Sequence, residues 1–548
     1  MELEMEYEQE SPARTAPSPA PAPPSPTPSS GTSSSRTRPR RHSPVARRAL
    51  FASVAGCAAV AGVLTLVPWG DDGAPPAPGP SGRATLAAGA GVPAALPDLT
   101  ALISERSAHV TKHPKDDESW AVLGSAYVEQ GRRTGNHAVY PQAEHALKTS
   151  LGVRPQGNVD ALQGLTALAN ARHDYRAAKK WGEQALAASP ARWTVHAQLI
   201  DTYTQLGDAK RVDASLEKLQ KYGKGPAVLA GASQVYRDRG WREDATAGLS
   251  DAVALAGSPA EQAEYQHRMG ELAWERGEAA EALRWFDDAL RADPTHHASL
   301  AGRARALTGL DRGTEALTVY RSAYTKQPLP RYALELGELY ESLGLGPAAR
   351  AQYERLRTRL AQDAAAGVGD GWVLGLFEAD HGEPDAAVKR LEAEWKRHPG
   401  HQVADALGWA LHRAGDDKKA DKFAEKAMKD GPHSALFAYH RAEIQRGLKD
   451  PGAARRYFQE ALRINPHFSP LLAPAARQAL EELGEPTEDG PAQMQPPTPE
   501  PATPPRPSSK PTPPRATAKP KPAPPRQSTE PTPPAQTNKP SPKPEPAR

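Results

Sequence analysis

The sequence predicts an all-α protein: an α-solenoid of about ten helical hairpins with a C-terminal capping helix, flanked by disordered Pro-rich tails and one transmembrane helix. Three observations predict it. Small residues recur in the middle of the chain at intervals of 33 to 38 residues, from Ala143 to Ala454. Many of the 57 prolines among 548 residues crowd toward the ends, leaving a middle block rich in Ala, Leu, Glu and Arg. A single uncharged apolar run, Ala49 to Trp69, interrupts the polar N-terminal region.

Composition narrows the function classes. Lys+Arg 68 against Asp+Glu 65 gives +3, so bulk charge favours neither nucleic acid nor an acidic partner, and no nucleic acid is expected. With 1 Cys, neither a disulfide framework nor a thiolate zinc site can form within the chain. Few aromatics (7 Phe, 15 Tyr, 10 Trp) suit Ala-packed helices better than sheets.

Residues 1–48 read as a disordered, cytoplasmic Pro/Ser/Arg-rich segment, because such composition holds too little apolar surface to offset ordering entropy. Residues 49–69 are about long enough to cross a bilayer as a helix. Arg36, Arg38, Arg40, Arg41, Arg47 and Arg48 precede the run, while Asp71 and Asp72 follow. The positive-inside rule then keeps the N-terminus in the cytoplasm and the rest outside, as a single-pass signal anchor. Alternatives are a cleaved signal peptide with a secreted product, a twin-arginine signal at Arg47-Arg48, a lipoprotein box at Val54-Ala55-Gly56-Cys57, and a buried soluble helix. No A-x-A site closes the run, and apolar residues continue past Cys57, which favours one intact span with Cys57 packed as a small hydrophobe. Residues 70–98 read as an Ala/Gly/Pro linker.

The block 99–485 is repetitive. Ser258-Pro259-Ala260-Glu261 has the pattern of a capping box with Pro at the first helical position, and Gly277 ends that helix. A second helix follows with Ala282, Leu283, Phe286, Ala289 and Leu290 on one stripe, stopped at Asp293-Pro294. Such short helices are marginal alone and must stack on neighbours. The series Ala143, Ala178, Val212, Ala245, Ala282, Ala316, Ala349, Ala387, Ala420, Ala454 supplies them. Apolar columns on both helices keep step with it, and so do the helix-ending prolines Pro155, Pro190, Pro294, Pro328, Pro399, Pro432 and Pro466.

Trp120-x2-Leu123-Gly124-x2-Tyr127, followed by Ala143, Leu147 and Pro155, resembles the tetratricopeptide signature. Arg268-Met269-Gly270 through Ala282, Phe286, Ala289 and Pro294 resembles it more fully. The resemblance covers about ten units from Asp117 to Pro466. It departs in the first unit, where extra residues around Arg132 to Tyr140 are expected in the interhelical turn, and in the unit around Gln234 to Leu249, which lacks a terminal proline. Leu471, Leu472, Ala475, Ala476, Ala479, Leu480 and Leu483 then mark the capping helix.

The resemblance implies a groove lined by the second, fifth, ninth and twelfth positions of each first helix. These are Glu264, His267, Glu271 and Trp274 in the fifth unit, Gln402, Asp405, Trp409 and His412 in the ninth, and Leu436, Tyr439, Glu443 and Arg446 in the tenth. Trp372 falls on the same face in the eighth. Exposed aromatics beside carboxylates and Arg would anchor a Pro-rich or basic peptide; the competing reading packs them between repeats.

Catalytic motifs do not emerge: HExxH, a phosphate-cradling Gly loop and a nucleophile elbow are all missing, so the chain reads as no enzyme with no cofactor or metal. His296-His297 reads as two solvated side chains, and Asp116-Asp117-Glu118 as first-turn decoration. Residues 486–548 read as a disordered Pro-rich cationic tail carrying Arg506, Lys510, Arg515, Lys519, Lys521, Arg526, Lys539 and Lys543, expected as a solvated spacer or as an extended segment along an anionic envelope polymer. The expected function is a membrane-anchored scaffold that recruits a protein or peptide partner. The alternative is a secreted or envelope-associated structural protein held by its tail.

Overall fold

Ten helix pairs follow one another between Asp117 and Ile464 in the computed structural model, which describes residues 77–429 and 431–484, from Pro78 onward within one unit. The first five are α3 (Asp117–Thr134) with α4 (Tyr140–Val153), α5 (Val159–Ala171) with α6 (Tyr175–Ala188), α7 (Trp193–Gln205) with α8 (Ala209–Tyr222), α9 (Pro226–Asp238) with α10 (Arg242–Ala254), and α11 (Pro259–Glu275) with α12 (Ala279–Ala292). Next come α13 (His297–Gly309) with α14 (Gly313–Lys326), α15 (Pro330–Ser342) with α16 (Gly346–Ala365), and α17 (Gly371–His381) with α18 (Pro384–Arg397). The last are α19 (His401–Arg413) with α20 (Asp417–Met428) and α21 (Ala435–Gly447) with α22 (Pro451–Ile464). Two helices, α1 (Pro80–Gly89) and α2 (Leu96–Lys112), precede them, and α23 (Leu472–Leu483) closes the series.

The register seen in sequence is a packing register. Every member of the series from Ala143 to Ala454 is buried, because at that position the two helices of a hairpin come closest. Phe286 is completely buried between Gly270 and Gly302; a Cβ on either glycine would come within 2.6 or 2.4 Å of its ring. The prolines stand just beyond the second helices they terminate. The two longest intervals arise from long helices, α11 at 17 residues and α16 at 20. Asp174, Asp208, Asp416 and Asp450 each cap a second helix by accepting from the backbone N–H three residues on, which fixes the sharp turn within the hairpin.

Several expectations change. Residues 80–98, read as part of a linker, contain α1 and the start of α2, held by an Arg83–Asp98 ion pair and by burial of Ala84, Ala94, Leu99 and Leu102. The Ala and Leu content that made this stretch look featureless is what packs it. The extra residues of the first hairpin partly extend α3 to Thr134 and partly form a 3₁₀ turn, His137–Val139. Glu261 does not return to Ser258 N–H; it accepts instead from Gly257 N–H at 2.8 Å, while Ser258 Oγ accepts from Glu261 N–H. His296 is buried and caps α13 by accepting from Ser299 N–H, and His297 Nδ1 meets Tyr332 Oη at 2.9 Å, so the pair is structural rather than solvated. The run Ala49 to Trp69 lies outside the described residues, among which no helix is long and apolar enough to cross a membrane.

Successive hairpins wind back on themselves. The tip of each of the first five hairpins meets the link that follows the hairpin five places later. Gly135 lies against Gln327, Gly207 against Pro399, Gly240 against His433, and Gly277 against Pro466. In the second hairpin Gly369 N–H donates to Arg172 O at 3.0 Å and His173 sits 2.7 Å from Asp370. Asn465 Nδ2 donates to Trp274 O at 2.7 Å, across 191 residues. A seam of backbone and side-chain contacts therefore joins one turn of the winding to the next.

Candidate functional site

First helices of most neighbouring hairpins touch one another, whereas second helices touch mainly first helices. The first helices consequently lie on the inside of the bend. Polar side chains on this inner face reach from hairpin to hairpin. Thr202 Oγ1 of α7 donates to Asn170 Oδ1 of α5 at 2.8 Å. Arg237 of α9 donates to Glu275 of α11 at 2.8 Å, Arg305 of α13 to Glu271 of α11 at 3.0 Å, and Arg305 also lies 3.3 Å from Glu335 of α15. Further along, Trp409 Nε1 of α19 donates to Asp380 of α17 at 3.1 Å, and His440 Nδ1 of α21 lies 2.9 Å from Asp405 Oδ2.

Of the residues expected in the groove, Glu264, Glu271, Asp405 and Trp409 take part in such polar contacts between hairpins, and the others do not. Glu264 accepts from Arg268 Nε at 2.9 Å and faces His296. Burial pushes its carboxyl up, but Arg268 and His296 outweigh that and hold it well below the usual range. Glu271 is likewise held down against burial by Arg305. His267, packed between Phe286 and His296, is driven by burial to about 3 and is neutral at physiological pH. Trp274, Trp409 and Tyr439 are buried, so packing between repeats is what these aromatics do. Trp409 stacks on His440 at 4.3 Å and Tyr439 contacts Phe458 and Phe468. Trp372 is partly buried against the same cluster. Asp405 and Glu443 are buried, His412 Nδ1 is 2.6 Å from Asp417, and Gln402 and Arg446 are exposed.

Two acidic groups on this face were not singled out from sequence. Asp201 (α7), Asp238 (α9) and Glu275 form one; Glu338 and Glu341 (α15) with Asp380 form the other. Desolvation, with Glu275 and Asp201 nearby, raises Asp238 to about 6 despite Arg237. Desolvation and the neighbours Glu335, Asp380 and Glu341 raise Glu338 to about 8. Among the described residues, Asp201, Asp238 and Glu338 form no salt bridge, the nearest approach being a hydrogen bond from Gln234 to Asp238. Carrying the ninth and twelfth groove positions through every hairpin would have found Asp201, Glu338 and Glu341; Asp238 sits one residue beyond. No group of three or more His, Cys, Asp or Glu among the described residues is arranged to hold a metal ion.

Residues 437–468 match the family model described as Tetratricopeptide repeat, and residues 84–165 match that of the Bacterial transcriptional activator domain. No curated protein matches the chain. Similar solved structures include a tetratricopeptide repeat protein from Parabacteroides merdae, 16% identical over 47% of this chain and 99% of that one, TM-score 0.29. The human IFIT1 dimer with PPP-AAAA is 14% identical over 57% and 72%, TM-score 0.39, and yeast Tom70 is 12% identical over 67% and 97%, TM-score 0.30.

Proposed function

We propose that the chain is a non-enzymatic, membrane-anchored scaffold that recruits a protein or peptide partner on the inner face of its hairpins. The observation that carries this reading is the polar inner face of the first helices, where Asp201, Glu341, Asp380 and Gln402 are exposed beside the buried ladder. Ala49 to Trp69 supplies the anchor in this reading, with the repeats outside the cytoplasm. A photo-reactive residue placed at Gln402 or Glu341 on the inner face, compared with one at Lys179 or Lys422 on second helices, tests the binding surface. Adducts with one defined partner from the inner positions alone are expected; adducts from second-helix positions alone would refute it. Proteolysis of intact cells tests topology: degradation from outside is expected, and protection until lysis would place the repeats inside.

The alternative, an envelope-associated protein held by residues 486–548, rests on the charge of that tail. Removing the tail distinguishes the two, because association that survives its loss belongs to the repeats.

A further inference from the structure

We propose that the inner face is occupied in the resting chain by the protein's own cationic tail, with Arg506 to Arg526 lying against the carboxylates of Asp201, Asp238, Glu338, Glu341 and Asp380. This rests on the scaffold reading and names the chemistry of its ligand: an extended, Pro-rich segment bearing Arg and Lys, which an external partner must displace.

Charge complementarity is the first support. Arg506, Lys510, Arg515, Lys519, Lys521 and Arg526 occur with no Asp or Glu between Arg506 and Thr529. Opposite them, Asp201, Asp238 and Glu338 have no cation within salt-bridge distance among the described residues, although other inner-face carboxylates such as Glu264, Glu271 and Glu275 have an Arg partner. Like charges placed together in a protein-lined interior repel, and a cation from outside the ladder relieves that repulsion. Burial first, and neighbouring carboxylates after it, raise Asp238 and Glu338 above the ordinary range, and a cation brought against them acts in the opposite direction.

The point of departure of the tail is the second support. It begins beyond α23, whose Glu482 lies 3.7 Å from Arg446, an inner-face residue of the tenth hairpin. Arg455 donates to Leu483 O at 2.5 Å, which fixes the end of α23 on α22. The tail is therefore delivered at the rim of the face it is to occupy. The roughly twenty residues from Gly484 to Arg506 reach about 65 Å when extended, and a polyproline-like chain loses little entropy on docking. Tethering adds effective concentration, so a weak contact suffices to keep the site filled.

The test uses the full chain. Carbodiimide coupling in dilute salt, read by peptide mass spectrometry, is expected to join Lys510, Lys519 or Lys521 to Asp201, Asp238, Glu338, Glu341 or Asp380. A 1:1 mixture of unlabelled and ¹⁵N-labelled chains is expected to give same-chain products only. In a variant with all six tail cations replaced by Gln, which leaves the hairpins untouched, labelling of Glu338 by an added amine should rise at least threefold. Coupling of the lysines to second-helix acids such as Asp213 and Glu217, mixed-isotope products, or unchanged Glu338 labelling would each overturn the proposal. If tail coupling is absent while inner-face photo-adducts with a partner persist, self-occupancy fails and the scaffold reading stands; if tail coupling is found without partner adducts, the reverse holds.

Discussion

His137 Nδ1 meets Asp363 Oδ1 at 2.6 Å, across 226 residues of chain. Asp363 is almost fully buried and also accepts from Arg359 Nε at 2.9 Å, while the His137 ring stacks on Tyr140 at 5.1 Å. The tip of the first hairpin is thereby clasped to the end of α16, the second helix of the seventh hairpin. The His173–Asp370 pair repeats the device, with His173 held at φ 57, a left-handed conformation that costs a side-chain-bearing residue about 1–2 kcal/mol. Replacing Asp363 with Asn removes the charge that both His137 and Arg359 face. It should lower stability by about 1–3 kcal/mol and increase amide exchange at the Gly135 tip before global unfolding, a result read by native-state hydrogen exchange. Unchanged exchange at that tip would mean that the pair does not close the seam.

The seam should respond to pH with a definite sign. Burial alone would raise Asp363, but His137 and Arg359 outweigh it and lower the carboxyl, so its contribution is present above the ordinary aspartate range and lost as pH falls through its depressed value. Burial lowers His173, yet Asp370 outweighs burial and raises it. That contribution is complete below about pH 6.5 and is lost as pH rises through the elevated value. Charged groups facing His173 include Asp370 and Asp201, and His398 lies nearby. The radius of gyration from solution scattering should be smallest between about pH 4 and 6.5 and larger at pH 9. His173→Gln should flatten the alkaline limb; an unaltered limb in that variant would assign the change to another group.

Phe286 tests the packing register. Its ring fills the space that Gly270 and Gly302 leave, so Phe286→Ala opens a cavity in a wholly buried site and should cost about 3–5 kcal/mol. Gly302→Ala places a methyl group on the same ring and should cost about 1–3 kcal/mol. Thermal unfolding followed by circular dichroism measures both, and a Gly302→Ala variant as stable as the parent would show that the ring can move aside.

The hairpins were legible because their cause is local and periodic: Ala143 to Ala454 mark one close helix approach repeated along the chain, and Pro294 or Pro466 mark its end. Helix α1 was not, because Ala84, Ala87 and Leu86 occur in a Gly- and Pro-bearing stretch with no repeat to compare it with. The seam was invisible for a different reason. Pairing His137 with Asp363 or Asn465 with Trp274 depends on the pitch of the winding, which accumulates over five or six hairpins and leaves no short-range pattern. Groove positions carried over by resemblance name residues by position alone, and position does not distinguish buried Trp409 from exposed Gln402.

Trp409 separates packing from recognition. It is buried, donates to Asp380 and stacks on His440, which itself pairs with Asp405. Trp409→Ala should therefore cost about 3–5 kcal/mol and melt the last hairpins first, as detected by limited proteolysis near Lys429 to His433. Trp409→Phe keeps the ring but leaves Asp380 without its indole donor, at about 1–2 kcal/mol. If either variant keeps full stability and loses only partner capture, the side chain is a contact residue after all.

Glu338 gives the sharpest electrostatic prediction. Desolvation comes first among the causes that raise it to about 8, followed by Glu335, Asp380 and Glu341. A carboxyl whose folded-state pKa lies above its unfolded value destabilises the fold once the unfolded chain ionises, increasingly so up to the elevated value. Glu338→Gln should thus be nearly neutral at pH 4.5 and stabilising at pH 8.5, with the difference in Tm growing steadily between them. The tail-neutral variant described above should show a larger gain from Glu338→Gln than the parent does, because removing the tail cations leaves the carboxylate more fully unpaired. A Tm difference independent of pH would show that Glu338 ionises as an ordinary surface acid, and that its neighbours do not act on it as the geometry requires.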